Sequence, residues 1–225
     1  MADEAGPEKE GDEPTSGLGR RRRQAHATQE ESYVARRAEL VAIAAEIFRE
    51  KGYEETTLGD IAAGFGTDRA SLYYYVAGKE DLFEEAIRGV LDHDVEEAEA
   101  IAALDLDAGE KLRLLIGQQL DSQERNYPFM HLYIQEQMRT VGRGESDWAR
   151  WMAAQTRRYE TVVRAVVEAG IEAGTIRSDV EVDLFLNGLF GMLNWCHRWF
   201  KPGSPYRADR IAEAFAALFL DGARH

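Results

Sequence analysis

A single cysteine, five prolines and no apolar run near 18 residues are the scarcities of this 225-residue chain. One cysteine, Cys196, excludes an intrachain disulfide framework and a multi-cysteine zinc site, and a reducing cytoplasm is the compartment this predicts. The missing apolar run excludes a membrane-spanning helix, and the charged N-terminus is unlike a signal peptide, so a soluble cytoplasmic protein with no membrane partner is expected. No alternating strand pattern of any length occurs, which makes the fold class all-α. No GxSxG, Walker loop or strand-borne GxGxxG is present, and no repeat recurs at a fixed period.

Positive charge is scarce as well: 27 Lys and Arg face 41 Asp and Glu, for a net charge of -14. Such a balance argues against a polyanionic partner. The charge is, however, sorted along the chain. Residues 1–14 carry six acids and one lysine, residues 15–79 ten bases and nine acids, and residues 80–225 sixteen bases and twenty-six acids. Only the first third can approach nucleic acid, and "GRRRR" (Gly19 to Arg23) concentrates its cations.

Residues 1–31 hold almost no large apolar side chains and read as a disordered arm. From Ser32 the spacing of Leu40, Ala44, Ile47 and Phe48 predicts a helix over 33–51 that ends at Gly52. Thr57, with Asp60 three residues on, caps a short helix over 58–65. Gly66 and Thr67 form a tight turn, and Asp68 caps a third helix over 69–75 through the Ser71 amide. A long amphipathic helix follows from Lys79 to about 103, and further helical blocks fall near 109–126, 128–141, 145–173, 181–200 and 206–221. The division expected is an arm (1–31), a helix-turn-helix domain (32–79) and a larger helical domain (80–225), with about nine helices in total.

In "GTDRASLYYYVAGKEDL" (Gly66 to Leu82) the third helix takes the place of a recognition helix. Leu72 and Val76 face inward, leaving Arg69, Ala70, Ser71, Tyr73, Tyr74 and Tyr75 for groove or backbone. Arg69 is the side chain here able to pair bidentately with guanine; tyrosine hydroxyls and the Lys79 ammonium suit phosphate oxygens. Interhelical packing is the plainer use of aromatic residues, but three consecutive helix positions span about 200° and cannot all face one core.

Residues 36–82, "RRAELVAIAAEIFREKGYEETTLGDIAAGFGTDRASLYYYVAGKEDL", resemble the DNA-binding domain of TetR-family transcriptional regulators over about 47 residues without gaps. The resemblance implies a homodimeric repressor whose recognition helices bind a palindromic double-stranded DNA operator and are released by a small-molecule inducer. It implies Thr57 as a phosphate contact, Tyr73, Tyr74 and Lys79 as backbone contacts, and Arg69, Ala70, Ser71 and Tyr75 as the groove-facing set. Thr67 and Phe65 depart from the family's usual small apolar residue and alanine at the turn. Arg20, Arg21, Arg22 and Arg23 are either a solvated charge cluster or an arm that follows the minor groove.

"FLNGLFGMLNWCHRWFKPG" (Phe185 to Gly203) is apolar around most of its circumference, so one side is expected to meet a twin helix across a two-fold axis. Leu184, Asn187, Gly188 and Gly191, with Phe215, Leu218 and Phe219 of the last helix, are the expected dimer interface. A ligand pocket needs aromatic walls and a few polar anchors, and Phe129, Met130, Tyr133, Gln137, Trp151, Gln155, Tyr159, Phe190, Asn194 and Trp195 are the candidates. Core packing is the plainer use of most of them. The ending "NWCHRWFKPGSPYRADRIAEAFAALFLDG" is similar to the C-terminal halves of actinobacterial TetR-type regulators of lipid and sterol catabolism, some of which answer to acyl-CoA thioesters; this implies an apolar or CoA-linked inducer.

No catalytic constellation stands out. His93 with Asp92 and Asp94 reads as a solvated acidic face, and Cys196 and His197, adjacent on one helix, point apart. No enzyme activity, metal or cofactor is expected. The other non-enzyme reading is a helical adaptor that turns the helix-turn-helix toward protein partners without an inducer.

Overall fold

The computed structural model describes the backbone of residues 17–140, 147–201 and 203–223, with the side chains of 29–135, 147–201 and 203–222. The described residues form nine α-helices and no strand. They are α1 (Gly17–Lys51), α2 (Leu58–Phe65), α3 (Arg69–Leu72), α4 (Lys79–Ala102), α5 (Ala108–Arg125), α6 (Phe129–Thr140), α7 (Asp147–Glu172), α8 (Val182–Trp195) and α9 (Ala208–Ala223), with a 3-10 turn at Cys196–Arg198.

Over residues 17–31 the first helix corrects the expected arm, because α1 begins at Gly17 rather than near residue 33, while residues 1–16 lie outside the described residues. Low hydrophobicity argues against tertiary burial, not against local helix. Arg20 to Lys51 contains neither Gly nor Pro and is rich in Arg, Glu, Ala and Gln, all good helix formers. The chain falls into two compact units, one ending at Leu40 and the other running from Val41. The second unit takes in the helix-turn-helix and all later helices.

Within that unit, capping sets the short helices. Thr57 and Asp60 form a reciprocal capping box at the start of α2, and Gly66 at φ 73° closes its end. There the amide of Thr67 donates to the Ala62 carbonyl at 2.9 Å and that of Gly66 to Ala63 at 3.2 Å, the paired bonds of a Schellman turn. Asp68 caps α3 by accepting the Ser71 amide at 2.8 Å. The third helix is shorter than expected: it ends at Leu72, and residues 73–75 continue as tighter turns, with the Tyr75 amide donating to the Leu72 carbonyl at 2.9 Å.

Phe48 meets Phe83 edge-on at 5.6 Å, Tyr53 lies 4.4 Å from Phe83, and Phe83 stacks on Phe129 at 5.2 Å. These rings tie the end of α1 to the first turns of α4 and α6. Farther along, α5 packs against α4, α7, α8 and α9. Leu112, Leu115, Ile116 and Leu120 of α5 join Val163, Val167, Leu186, Leu189 and Ala216 in one buried cluster. A Cβ at Gly170 would stand 2.6 Å from both the Ala108 Cβ and the Ile176 Cδ1, so only glycine allows α7 and α5 to meet there.

Candidate functional site

Two regions hold the candidate residues. The first is the outer surface of α3 and the turn that follows it. Arg69, Ala70 and Ser71 are exposed, as are Tyr73 and Tyr74 at 50% and 68%, while Leu72 and Val76 are buried. The Arg69 Nη2 donates to the Tyr73 hydroxyl at 3.2 Å, which aligns the guanidinium along the same face. Ser71 donates its hydroxyl to Asp68 at 3.1 Å. The Ser71 amide, a partner of the Asp68 carboxylate, holds that group below the usual carboxylate range.

Tyr75 differs from its two neighbours. It is half-buried and meets Phe65 edge-on at 5.9 Å, so it props the turn from behind. Phe65, 6% exposed, fills the space under this ring.

Thr57 is exposed, and its hydroxyl donates to Asp60 Oδ2 at 2.6 Å. Lys51 stands 2.8 Å from the same carboxylate oxygen, and it joins Thr57 in keeping Asp60 well below its ordinary pKa. Lys79, expected as a phosphate contact, is engaged within the protein. Its Nζ donates to the carbonyls of Tyr53, Glu54 and Thr56 at 3.0, 3.3 and 3.3 Å, and lies 4.4 Å over the Tyr53 ring. All three ammonium hydrogens have acceptors within the protein.

Arg20, Arg21, Arg22 and Arg23 lie within α1, and their side chains are outside the described residues, as is that of Gln137 in α6.

The second region is a cavity of about 260 Å³ lined by residues of α4 to α8. Met130, Tyr133, Gln155, Tyr159, Phe190 and Asn194, expected from the sequence, all line it. Three others stand elsewhere. Phe129 is 2% exposed within the ring cluster with Phe48 and Phe83. Trp151 stacks on Trp148 at 5.2 Å with the Arg88 guanidinium 4.3 Å over its face. Trp195 is 57% exposed, with Arg198 5.2 Å over its ring.

The cavity also holds residues that the sequence reading passed over: Leu91, Asp94 and Val95 from α4, Gln118 and Gln119 from α5, Thr156 and Glu160 from α7. Asp94 corrects the solvated acidic face. Asp92 and His93 are exposed, but Asp94 is 5% exposed, on the same stripe as Leu91, Val95 and Ala98. Its Oδ2 accepts the Ser122 hydroxyl at 2.6 Å and its Oδ1 the Gln118 amide at 3.2 Å. Gln118 in turn accepts the Tyr159 hydroxyl at 2.7 Å. Burial pushes the Asp94 carboxyl up to about 6, against the opposing pull of the Ser122 hydrogen bond. The usable signal was a carboxylate at helical spacing within an apolar stripe, not its neighbours in sequence.

Along α8 and α9, Leu184 and Leu218 are exposed at 62% and 75%, and Asn187, Gly188 and Gly191 are exposed as well. Phe215 and Phe219 are half-buried; Phe219 meets Phe185 edge-on at 4.8 Å. His197 is buried, and its Nδ1 lies 2.6 Å from the Asn194 carbonyl.

The early helices match the family model for bacterial regulatory proteins, tetR family, over residues 40–86. The later ones match that for a tetracyclin repressor-like C-terminal domain over residues 105–223. The chain is 30% identical over 188 residues to the HTH-type transcriptional repressor KstR2 of Mycobacterium tuberculosis, spanning 84% of this chain and 92% of that protein. It is similar to the crystal structure of a TetR/AcrR-family regulator from Thermobifida fusca, with a TM-score of 0.71 and 29% identity over 85% of this chain and all of that one. The structure of the ketosteroid transcriptional regulator KstR2 of Mycobacterium tuberculosis gives a TM-score of 0.69 and 28% identity over 84% of this chain and 95% of that one.

Proposed function

This chain belongs to the TetR family of bacterial regulatory proteins, and from that premise we propose that it is a cytoplasmic, homodimeric repressor that binds a palindromic operator and leaves it when a small molecule enters the cavity. The observation that carries the reading is the exposed surface of Arg69, Ala70, Ser71, Tyr73 and Tyr74, held behind a Schellman turn in the least acidic third of the chain. Arg69 reads a base edge, Tyr73 and Tyr74 grip phosphates with Thr57, and Tyr75 supports them from behind. Arg20 to Arg23 are proposed as additional cationic contacts to the DNA.

Two copies of the face formed by Leu184, Gly188, Gly191 and Leu218 meet across the two-fold axis. The relation to a ketosteroid regulator supports an apolar inducer, free or linked to CoA. Ligand entry acts on α4, which contributes Leu91, Asp94 and Val95 to the cavity and begins at Lys79, next to the recognition surface. Only a ligand that favours one of two conformations shifts the equilibrium between them.

The test is a fluorescence-anisotropy titration of the DNA flanking the protein's own gene across a range of salt. Selective binding that weakens steeply with salt is expected. A helical adaptor for protein partners would bind no fragment selectively.

A further inference from the structure

A second cleft, of about 530 Å³, opens between the turn that precedes α2 and the helices α4, α6 and α7. The turn contributes Tyr53 and Glu54, the first turns of α4 contribute Glu80, Phe83 and Glu84, and α7 contributes Trp148 and Met152. Ile87 and Met152 are buried at its base, whereas Glu54 and Glu80 are exposed and Glu84 is half-buried, so the carboxylates are open to an incoming molecule. No Lys, Arg or His stands among its described lining residues. Tyr133 lies in the wall of both this cleft and the smaller cavity, and its hydroxyl is 2.8 Å from that of Thr156.

Neighbouring cations do not cancel the negative charge of this cleft. None of its three carboxylates stands within salt-bridge distance of a described Lys or Arg. Lys79 spends its ammonium on the carbonyls of Tyr53, Glu54 and Thr56, and the Arg88 guanidinium lies over Trp148 and Trp151 at 5.2 and 4.3 Å. Burial first, then the Glu80 carboxylate, with Glu54 and Glu84 adding to it, push the Tyr53 hydroxyl up to about 12, so all three carboxylates act on one ring. Burial also raises the Glu84 carboxyl, against the pull of Arg88 and with a further push from Asp81, so its ionised form gains from another cation. The chain's own cations show what these walls attract: Lys79 sits over the Tyr53 ring and Arg88 over Trp148.

Among the described residues no three His, Cys, Asp or Glu side chains stand close enough together to hold a metal ion, so the carboxylates of the cleft suit a cation larger than a metal. We propose that the cleft is a second binding site, for an organic ammonium ion whose charge faces Glu54, Glu80 and Glu84 and whose apolar body lies on Phe83, Ile87 and Met152. Its volume falls within the range of roughly 300–1,000 Å³ that ordinary ligand sites occupy. A cation held there joins the turn before α2 and the start of α4 to α6 and α7, beside the helix-turn-helix. The site is independent of the function proposed above and of whatever fills the smaller cavity.

Three probes of one length and different charge test this by isothermal titration calorimetry on the full chain at pH 7.5 in low salt: hexan-1-amine, which is protonated there, hexan-1-ol and sodium hexanoate. The amine is expected to bind at least about tenfold more tightly than the alcohol, with hexanoate weakest, and its advantage should shrink as salt is raised. Glu84→Gln narrows that advantage, and the triple variant Glu54→Gln, Glu80→Gln, Glu84→Gln, its fold checked by circular dichroism, removes it. An alcohol that binds as tightly as the amine, an amine advantage unchanged in both variants, or no heat from the amine overturns the proposal.

Discussion

Lys79 and Tyr53 are joined twice: the ammonium donates to the Tyr53 carbonyl at 3.0 Å and lies 4.4 Å from the centroid of the Tyr53 ring. Lys79 is the first residue of α4, and its further bonds to Glu54 and Thr56 fasten that helix to the turn preceding α2. A residue whose position suggests a phosphate contact is instead a staple between the helix-turn-helix and the helix that reaches the cavity. Lys79→Met is expected to lower stability by about 2 kcal/mol, from charge-assisted hydrogen bonds and a cation–π contact. The check is urea denaturation alongside the salt dependence of DNA binding. The slope of log affinity on log salt should be unchanged; a slope smaller by about one would return Lys79 to the phosphates.

Asp94 makes a pH signature. Its folded pKa of about 6 lies above its ordinary value of 3.8, so the folded state holds the proton more tightly. The stabilisation from this group is present below pH 4 and is lost as pH rises through about 6. The groups facing it are His93 and Glu97 on its own helix, Arg125, Ser122 and Gln118 on α5, Tyr133 on α6, and Tyr159 and Glu160 on α7. Relative to Asp94→Asn, the wild type should lose about 2 to 3 kcal/mol between pH 4 and pH 7, read from paired thermal melts. A constant difference across that range would contradict the burial argument.

Gly170 lies where α7 meets Ala108 and Ile176. Gly170→Ala puts a methyl group into contacts of 2.6 Å, and overpacking of this kind typically costs about 1–3 kcal/mol despite alanine's better helix propensity. A fall in melting temperature is expected. A rise would mean that the two helices separate without cost.

Leu184 and Leu218 test the dimer. Leu218→Glu places a charge on a face that the proposal buries, while the 75% exposure of Leu218 in the single chain leaves the protomer fold intact. Sedimentation equilibrium should show a monomer with unchanged circular dichroism, and the variant should bind the operator poorly. An undiminished dimer would move the interface elsewhere.

Much of this was legible from residue spacing. Thr57 with Asp60, Gly66, and Asp68 with Ser71 announce the ends of α2 and the start of α3 because capping is local chemistry. Six cavity residues were legible because aromatic and amide side chains recur along α6, α7 and α8. Asp94 was hidden by its exposed neighbours Asp92 and His93, since sequence proximity on a helix is not shared environment. Lys79 and Phe129 were misplaced for a tertiary reason. Their partners are Tyr53, Glu54 and Thr56 in one case and Phe48 and Phe83 in the other, and no local rule supplies such contacts. The early start of α1 shows the converse, a helix favoured by propensity where burial gave no reason for one.

Arg69 carries the central claim, because it is the exposed side chain of α3 that can pair bidentately with a base. The most direct measurement is the affinity ratio between the selected operator and a scrambled duplex, by anisotropy at 150 mM salt, for the wild type and for Arg69→Ala. The expected result is a loss of about tenfold or more in operator affinity, a smaller loss on the scrambled duplex, and a relaxed preference at one base pair in each half-site. An unchanged ratio would show that the surface of α3 does not read the DNA.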